Sequence, residues 1–170
     1  MARHNYDPAN DAAGFPVLPD NDYRMRIGEP KLFTGVTKTG PNKDKPNWGF
    51  GILCTVVPGP VDTNGRMSPA EHVGKKAYQK LYYHDDNSAG FRKAFILAAF
   101  GYTPAEEKEF NEKNAGEDNW WYDTDTGQFG DGWRAIAGKE IVASLSVGKG
   151  QNDQPQQSWD LTRPVPTKSA

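Results

Sequence analysis

Apolar and polar residues alternate with a period of two in five stretches of this chain, and this pattern predicts a β-strand in each. The predicted strands are Tyr23–Phe33, Trp48–Val57, Lys76–Asp85, Glu140–Gly150 and Gln157–Val165. Gly28 and Pro30 interrupt the first strand and predict a bulge or bend there. The second strand has an apolar face of Phe50, Ile52, Cys54 and Val56. The fourth has one of Ile141, Ala143, Leu145 and Val147, and the fifth one of Trp159 and Leu161.

The one convincing helical pattern lies between the third and fourth strands and spans Ser88–Gly101. Ser88 is a suitable N-cap, and Gly101 is a suitable residue to end the helix in the left-handed conformation. The apolar stripe at helical spacing consists of Phe91, Ala94, Phe95 and Ala98. Since only two residues between the caps are charged, we expect this helix to be mostly buried.

Three strands, one buried helix and two further strands are the element order of the OB-fold, a five-stranded Greek-key barrel. We therefore predict an all-β fold of this type, with the helix between strands 3 and 4. The predicted domain covers residues 23–165 and contains an insertion at 103–133. An irregular arm at 1–22 and a short tail at 166–170 flank it, and Phe15, Val17 and Leu18 are expected to attach the arm to the domain.

The outward faces of the predicted strands combine lysines with aromatic residues. One face of the third strand carries Lys76, Tyr78, Lys80 and Tyr82. This composition is typical of a stacking platform with phosphate partners, although tyrosines also occur on strands for packing reasons alone. Gly49 and Gly51 leave bare backbone on the outer face of the second strand. They would either admit a flat base or let the sheet coil, and both interpretations stay open.

Other basic residues lie in the first strand and in a loop. Arg24 and Arg26 alternate with apolar residues, so they either meet phosphates or form a solvated face. Lys43 and Lys45 belong to the Gly- and Pro-rich loop 34–47, which joins the first two strands and is either a phosphate-binding loop or a soluble hairpin loop.

Charge is distributed unevenly along the 170 residues. The chain has a net charge of −2, but the segment 106–131 alone carries −7, which leaves +5 for the rest. The same insertion contains Trp120, Trp121, Tyr122, Phe129 and Trp133. These aromatics form either a satellite core, a protein-binding patch or, with the nearby aspartates, a metal site. An EF-hand is excluded because Arg134 falls where its last acidic ligand belongs.

The single cysteine, Cys54, lies in an apolar run and predicts a buried thiol in a reducing compartment. The amino terminus has no apolar signal region, and no run approaches about 18 apolar residues. We therefore expect a cytoplasmic protein with no membrane partner.

No enzymatic motif stands out, and we predict a protein without catalytic residues, metal or cofactor. The three histidines have no metal-ligand spacing. The cluster His84-Asp85-Asp86 is the one group that would suit a nuclease metal, but acidic residues before a helix also interact favourably with its dipole.

Four segments in this order resemble small phage-encoded single-stranded DNA-binding proteins of the OB-fold type. They are LPDNDYRMRIGEPKLF, WGFGILCTVVPGP, VGKKAYQKLYYHDDNS running into FRKAFILAAFGY, and AGKEIVASLSVGKG closing into SWDL. The resemblance implies sequence-independent binding of single-stranded DNA in phage replication or recombination, in the host cytoplasm. By position it implies DNA contacts from Arg24, Arg26, Lys43, Lys45, Trp48, Lys76, Tyr78, Lys80 and Tyr82.

The chain departs from the resemblance at its end, Pro-Thr-Lys-Ser-Ala, where many single-stranded DNA-binding proteins have an acidic tail that recruits replication partners. The acidic insertion is the candidate for contacting replication or recombination proteins instead, or for covering the DNA groove. The alternative is that the chain is a β-barrel protein that binds other proteins or a structural protein of the virion. A metal-dependent nuclease is the third alternative.

Overall fold

The fold is defined by a computed structural model, which describes residues 17–38, 41, 43–82, 89–113, 135–149 and 153–166. Six strands and two short helices lie in these ranges. In chain order they are β1 (Asn21–Ile27), β2 (Lys31–Val36), β3 (Pro46–Val56), β4 (Lys76–Tyr82), α1 (Ala89–Ala99), α2 (Glu107–Lys113), β5 (Glu140–Lys149) and β6 (Pro155–Pro164). Every strand pair is antiparallel, so the predicted β-rich class is confirmed.

The strands form one sheet around β3, the longest of them. One edge of β3 pairs with β2 along residues 46–51 and with β1 along residues 54–56, while the other edge pairs with β4. From β1 the sheet continues through β5 to β6. Among the described residues no backbone ladder joins β4 to β6, so the sheet is open in its hydrogen bonding.

The predicted first strand is divided into β1 and β2 by a one-residue irregularity. Ile27 pairs with Cys54, and Lys31 pairs with Gly51, so four steps along one strand match three steps along β3. The Gly28 N–H still donates to the Leu53 carbonyl at 3.0 Å. An extra residue reverses the alternation of side chains. The predicted bulge is therefore confirmed, and Phe33 lies on the opposite face from Ile27.

The core lies between the inner face of the sheet and α1. Phe95, Ile96 and Leu97 are fully buried, as the helical pattern predicts. Phe91 in the first turn is 59% exposed, so its predicted place in the buried stripe is wrong. The buried residues of α1 lie in its second half, and the helix packs mainly on β6, with further contacts to β5 and β4.

The end of α1 matches its sequence prediction. Gly101 has φ 86°, and its N–H donates to the Ala98 carbonyl at 3.0 Å. The Tyr102 N–H donates to the Leu97 carbonyl at 2.8 Å. These two bonds satisfy carbonyls that the helix itself leaves open, and they define a Schellman motif. Phe110 of α2 is buried against Tyr102, so α2 packs on the residues that end α1.

Trp159 connects the two outermost strands of the sheet. Its indole N–H, on β6, donates to the Tyr78 carbonyl of β4 at 2.9 Å, and its ring packs on Phe95. A register shift in the β5–β6 ladder pairs Ser144 with Leu161 but Leu145 with Trp159. The prediction that Trp159 and Leu161 share a face is therefore wrong, and Leu161 is 54% exposed.

The segment before β1 is held by a side-chain amide of β6. The Leu18 N–H donates to Gln157 Oε1, and Gln157 Nε2 donates to the Leu18 carbonyl at 3.1 Å. Leu18 is buried, which confirms the expectation that it tacks the arm onto the domain.

Several predictions lie outside the described residues. They concern the arm up to Pro16, the cluster His84-Asp85-Asp86, the cap Ser88 and the aromatic part of the insertion. Of the helices in the described ranges, none has the length and apolar character needed to cross a membrane.

Two glycine–lysine pairs make equivalent turns before β4 and β5. The Gly74 N–H donates to the Val56 carbonyl, and the Val56 N–H donates to the Lys75 carbonyl. The second turn has the same two bonds: the Gly138 N–H donates to the Ile27 carbonyl, and the Ile27 N–H donates to the Lys139 carbonyl. The glycines have φ 90° and 84°, which residues with a side chain adopt only at a cost.

We expect Gly138→Ala to lower the free energy of unfolding by about 1–2 kcal/mol because alanine is strained at this φ. Gly90→Ala is the matched control, because both new methyl groups would meet open space but Gly90 lies in α1. There alanine should stabilise the protein by about 0.5–1 kcal/mol. Urea unfolding measures both, and equal effects of the two substitutions would contradict the assignment of the turn.

We expect Trp159→Phe to lower the free energy of unfolding by about 1 kcal/mol, since the Tyr78 carbonyl loses this donor. Phe91→Ala removes an exposed aromatic from α1 and should change stability by no more than about 0.5 kcal/mol. An unchanged urea midpoint for Trp159→Phe would show that the bond between β4 and β6 contributes nothing.

Candidate nucleic-acid interface

Alternate residues of β4 form a row on the outer face of the sheet, the face that points away from α1. The β4 row consists of Lys76, Tyr78, Lys80 and Tyr82, which pair in turn with Thr55, Leu53, Gly51 and Gly49 of β3. Of the three intervening residues, Ala77 and Leu81 are buried on the inner face, and Gln79 between them is half-buried. The predicted shared face of the β4 row is therefore confirmed.

Gly49 lies between two aromatic residues that meet above it. It pairs with Phe33 of β2 on one side and with Tyr82 of β4 on the other. The two ring centroids are 5.5 Å apart and nearly perpendicular, a favourable edge-to-face arrangement. A methyl group on Gly49 would lie 2.1 Å from the Leu81 carbonyl oxygen, so this glycine also permits close approach of the backbones.

Phe33 is a member of this site that sequence reasoning missed. It is buried, yet it is not part of the core cluster because it lies on the outer face. The bulge after Ile27 places it there, since uninterrupted alternation from Tyr23 would put Phe33 on the inner face. The signal for its position was the pair Gly28 and Pro30.

Lys80 lies beside the aromatic pair. Its Nζ is 5.6 Å from the centroid of the Phe33 ring and 5.9 Å from that of Tyr82, within the range of a cation–π interaction. Lys31 of β2 pairs with Gly51 from the other side. Strands β2, β3 and β4 contain three lysines and no aspartate or glutamate, so their outer face has a positive charge of its own.

Gly51 is not bare, contrary to the sequence expectation. It is buried, and the phenol end of Tyr78 lies directly above it. Tyr78 itself is half-buried, and its pairing partner is Leu53, one pair further along the ladder. The ring therefore leans along the sheet over its diagonal neighbour.

Arg24 and Arg26 share the outer face but differ in their surroundings. Arg24 Nε lies 2.6 Å from Glu140 Oε1, and its side chain is only 20% exposed. The loop 57–74 lies against it, since Arg24 Nη1 reaches the Pro60 carbonyl. Arg26 is exposed and pairs with Thr55, next to the β4 row.

The loop 57–74 divides the outer face into two parts. Over β1, β5 and β6, Asp22 forms ion pairs with Arg66 and Arg163, and Arg163 also donates to the Val61 carbonyl. Val142 is fully buried there, although sequence alternation predicts an outward position. Acidic and basic side chains are thus paired under the loop, whereas the β2–β4 part carries lysines and aromatic rings.

The remaining predicted contacts lie away from the β4 row. Lys43 and Lys45 are exposed in the β2–β3 connection, where the Lys45 carbonyl accepts from the Thr37 N–H at 2.9 Å. Trp48 pairs with Thr34 and alternates with buried Phe50, which places it on the face opposite to Tyr78. The structure therefore separates Trp48 from the tyrosines with which the resemblance grouped it.

Metal and nucleophile chemistry have few candidates in the described part of the chain. No group of three His, Cys, Asp or Glu side chains there is placed to hold a metal ion. Cys54 is fully buried on the inner face, and this burial raises the pKa of its thiol to about 12. The thiolate is the reactive form of cysteine, so the folded protein keeps Cys54 unreactive near neutral pH.

Comparison with known proteins assigns the chain to no family. No family model matches the sequence, and no curated protein matches it either.

The raised pKa of Cys54 predicts a loss of stability at alkaline pH. The unfolded chain releases the thiol proton near the ordinary pKa of 9, whereas the folded chain keeps it up to about 12. Between these values the free energy of unfolding should fall by about 1 kcal/mol per pH unit. Urea unfolding between pH 7.5 and 10.5 measures the fall. Cys54→Ala should be less stable throughout but show a shallower decline, and equal slopes would contradict the prediction.

Proposed function

We propose that this protein binds single-stranded DNA without sequence preference, on the outer face of β2, β3 and β4. The observation that carries the proposal is the β4 row, in which two tyrosines alternate with two lysines beside Phe33. Aromatic rings stack on any base, and lysines neutralise phosphates, so neither contact reads the sequence. The proposed contacts are Lys31, Lys76, Tyr78, Lys80 and Tyr82, with Arg26 at the boundary. Buried Phe33 packs edge to face against Tyr82 and supports it.

The charge distribution supports a polyanion at this part of the face. The charged side chains of these three strands are all positive. On the other part of the face, Arg24 and Arg163 form ion pairs with Glu140 and Asp22. An arginine that is already paired with a carboxylate offers less attraction to a phosphate. We therefore propose that Arg24 stabilises the fold, and that DNA lies over β2–β4.

We also propose that the sheet is that of an OB-fold. The strand order from β4 through β3, β1 and β5 to β6 fits such a Greek-key barrel, with β1 and β2 together as its first strand. Two contacts support closure between the outermost strands. Trp159 of β6 bonds to the backbone of β4, and α1 packs against both of these strands as well as β5.

The proposed biological role follows the sequence resemblance: protection of single strands in phage replication or recombination. The acidic insertion 103–133 is proposed to contact other replication or recombination proteins. The alternative is a protein-interaction or virion role, which the exposed apolar residues of β2, Leu32 and Val36, favour. These two residues lie on the face opposite to the β4 row, so separate substitutions distinguish the two functions.

Fluorescence anisotropy of a labelled oligo-dT at low and moderate salt tests the proposal. Wild-type affinity should fall steeply as salt rises, because phosphate binding releases counterions. Tyr82→Ala should weaken binding about tenfold through lost stacking. Lys80→Ala should also weaken binding and make the salt dependence shallower by about one phosphate contact.

Two variants serve as controls for the binding experiment. Phe91→Ala removes an exposed aromatic from α1, the helix on the inner side of the sheet, and Lys108→Ala removes an exposed lysine from α2. Neither variant changes a residue of the β4 row. Each should bind within about twofold of wild type. Absence of salt-dependent binding by the wild type would refute the DNA function and favour the protein-interaction role.

A further inference from the structure

On the outer face, the Tyr78 side chain fills the space that a side chain at position 51 would need. A methyl group built on Gly51 would lie 1.5 Å from Tyr78 Oη, 2.6 Å from Cζ and 3.0 Å from Cε1. No real side chain tolerates such distances, so the observed direction of the phenol requires glycine at position 51. Lys80, which pairs directly with Gly51, has its Nζ near Phe33 and Tyr82.

The backbone at Tyr78 is held in place independently of its ring. Its carbonyl accepts the Trp159 indole N–H, and the residue pairs with Leu53 in the middle of the β3–β4 ladder. A side chain at position 51 would therefore move the ring rather than the strand. The ring would have to rotate away from β3 toward solvent, where it has more rotamers and fewer contacts.

Two other glycines in strands, Gly49 and Gly148, have different surroundings. A methyl group on Gly49 would meet the Leu81 backbone, so its substitution would disturb the pairing of β3 with β4. Gly148, in β5, would place a methyl group no closer than 4.0 Å to the Gln156 carbonyl oxygen. Of these three glycines, only Gly51 has the end of an aromatic side chain in the space that its own Cβ would take.

We propose that Gly51 is a positioning residue that fixes Tyr78 as a stacking surface for bases. The inference rests on the proposed function and adds to it the group that orients one of its aromatic contacts. Held along β3, the ring has already lost the conformational freedom that base stacking would otherwise remove, and this preorganisation strengthens binding. Gly51 acts through Tyr78 and contacts no base itself.

The first test concerns the free protein and needs no DNA. The Hα protons of Gly51 lie beside the Tyr78 ring, so their NMR shifts in the wild type should move when Tyr78→Leu removes the ring current. Gly51→Ala should shift the Tyr78 ring protons and lower stability. Unchanged Gly51 Hα shifts in Tyr78→Leu would overturn the proposal.

A double substitution distinguishes a clash with the ring from general damage to the strand. If Gly51→Ala is destabilising because of Tyr78, then Gly51→Ala should cost less stability in the Tyr78→Ala background than in the wild type. If Gly51→Ala alone does not fold, a double variant that does fold gives the same answer. A cost in the Tyr78→Ala background as large as in the wild type would overturn the proposal.

The second test is oligo-dT binding by anisotropy. Tyr78→Ala and Gly51→Ala should each weaken binding about tenfold, the size of one stacking contact. In the Tyr78→Ala background Gly51→Ala should add no more than a twofold loss, and Gly148→Ala, the matched strand glycine, should stay within twofold of wild type. A loss in the Tyr78→Ala background as large as in the wild type would overturn the proposal.

The outcomes separate the inference from the proposed function. A wild type that does not bind oligo-dT refutes both. A wild type that binds, together with a folded Gly51→Ala variant of unchanged affinity, refutes the positioning role alone. Tighter binding by Tyr78→Ala would mean that the ring obstructs the face, and it would likewise overturn the proposal.

Discussion

One extra residue between Ile27 and Lys31 determines how the rest of this sheet is arranged. Before it, β1 sends its odd-numbered side chains into the core, and after it β2 sends Phe33 to the outer face. The bulge also lets a single edge of β3 pair with two strands in succession. Both the inward direction of the β1 side chains and the aromatic pair above Gly49 depend on this change of register. A shift of one residue turns every side chain that follows to the opposite face of the sheet.

Local patterns were sufficient to predict the main elements. Alternation located the strands, and the apolar run located α1 with its end at Gly101. The shared face of the β4 row was equally predictable, since alternation within one unbroken strand needs no knowledge of its partners. These features succeeded because each depends on residues that are close together in the chain.

The errors have a different physical origin. Leu161 was assigned to the face of Trp159 because the irregularity in the β5–β6 ladder has no glycine or proline beside it in β6 to mark it. Phe33 was missed although Gly28 and Pro30 mark the bulge before it, because the consequence of that bulge for the later side chains was not followed. Val142 has an outward position yet is buried. Its pairing partners on either side, Arg24 and Arg163, both bond to the loop 57–74, which is distant in sequence. Arg24 was predicted to contact phosphate, but in the structure it forms an ion pair with Glu140. Such contacts between distant segments cannot be read from periodicity.

The two parts of the outer face show how one sheet can stabilise itself and still offer a binding surface. Over β1, β5 and β6, ion pairs and the loop 57–74 use the polar groups internally. Over β2, β3 and β4 the strands provide lysines, rings and glycines but no carboxylate that would compete with a phosphate. Because glycines remove side chains from the centre of β3, the flanking rings lie over its backbone. The glycines of β3 contribute no side chains to the outer face, and for that reason they give the aromatic side chains a defined place.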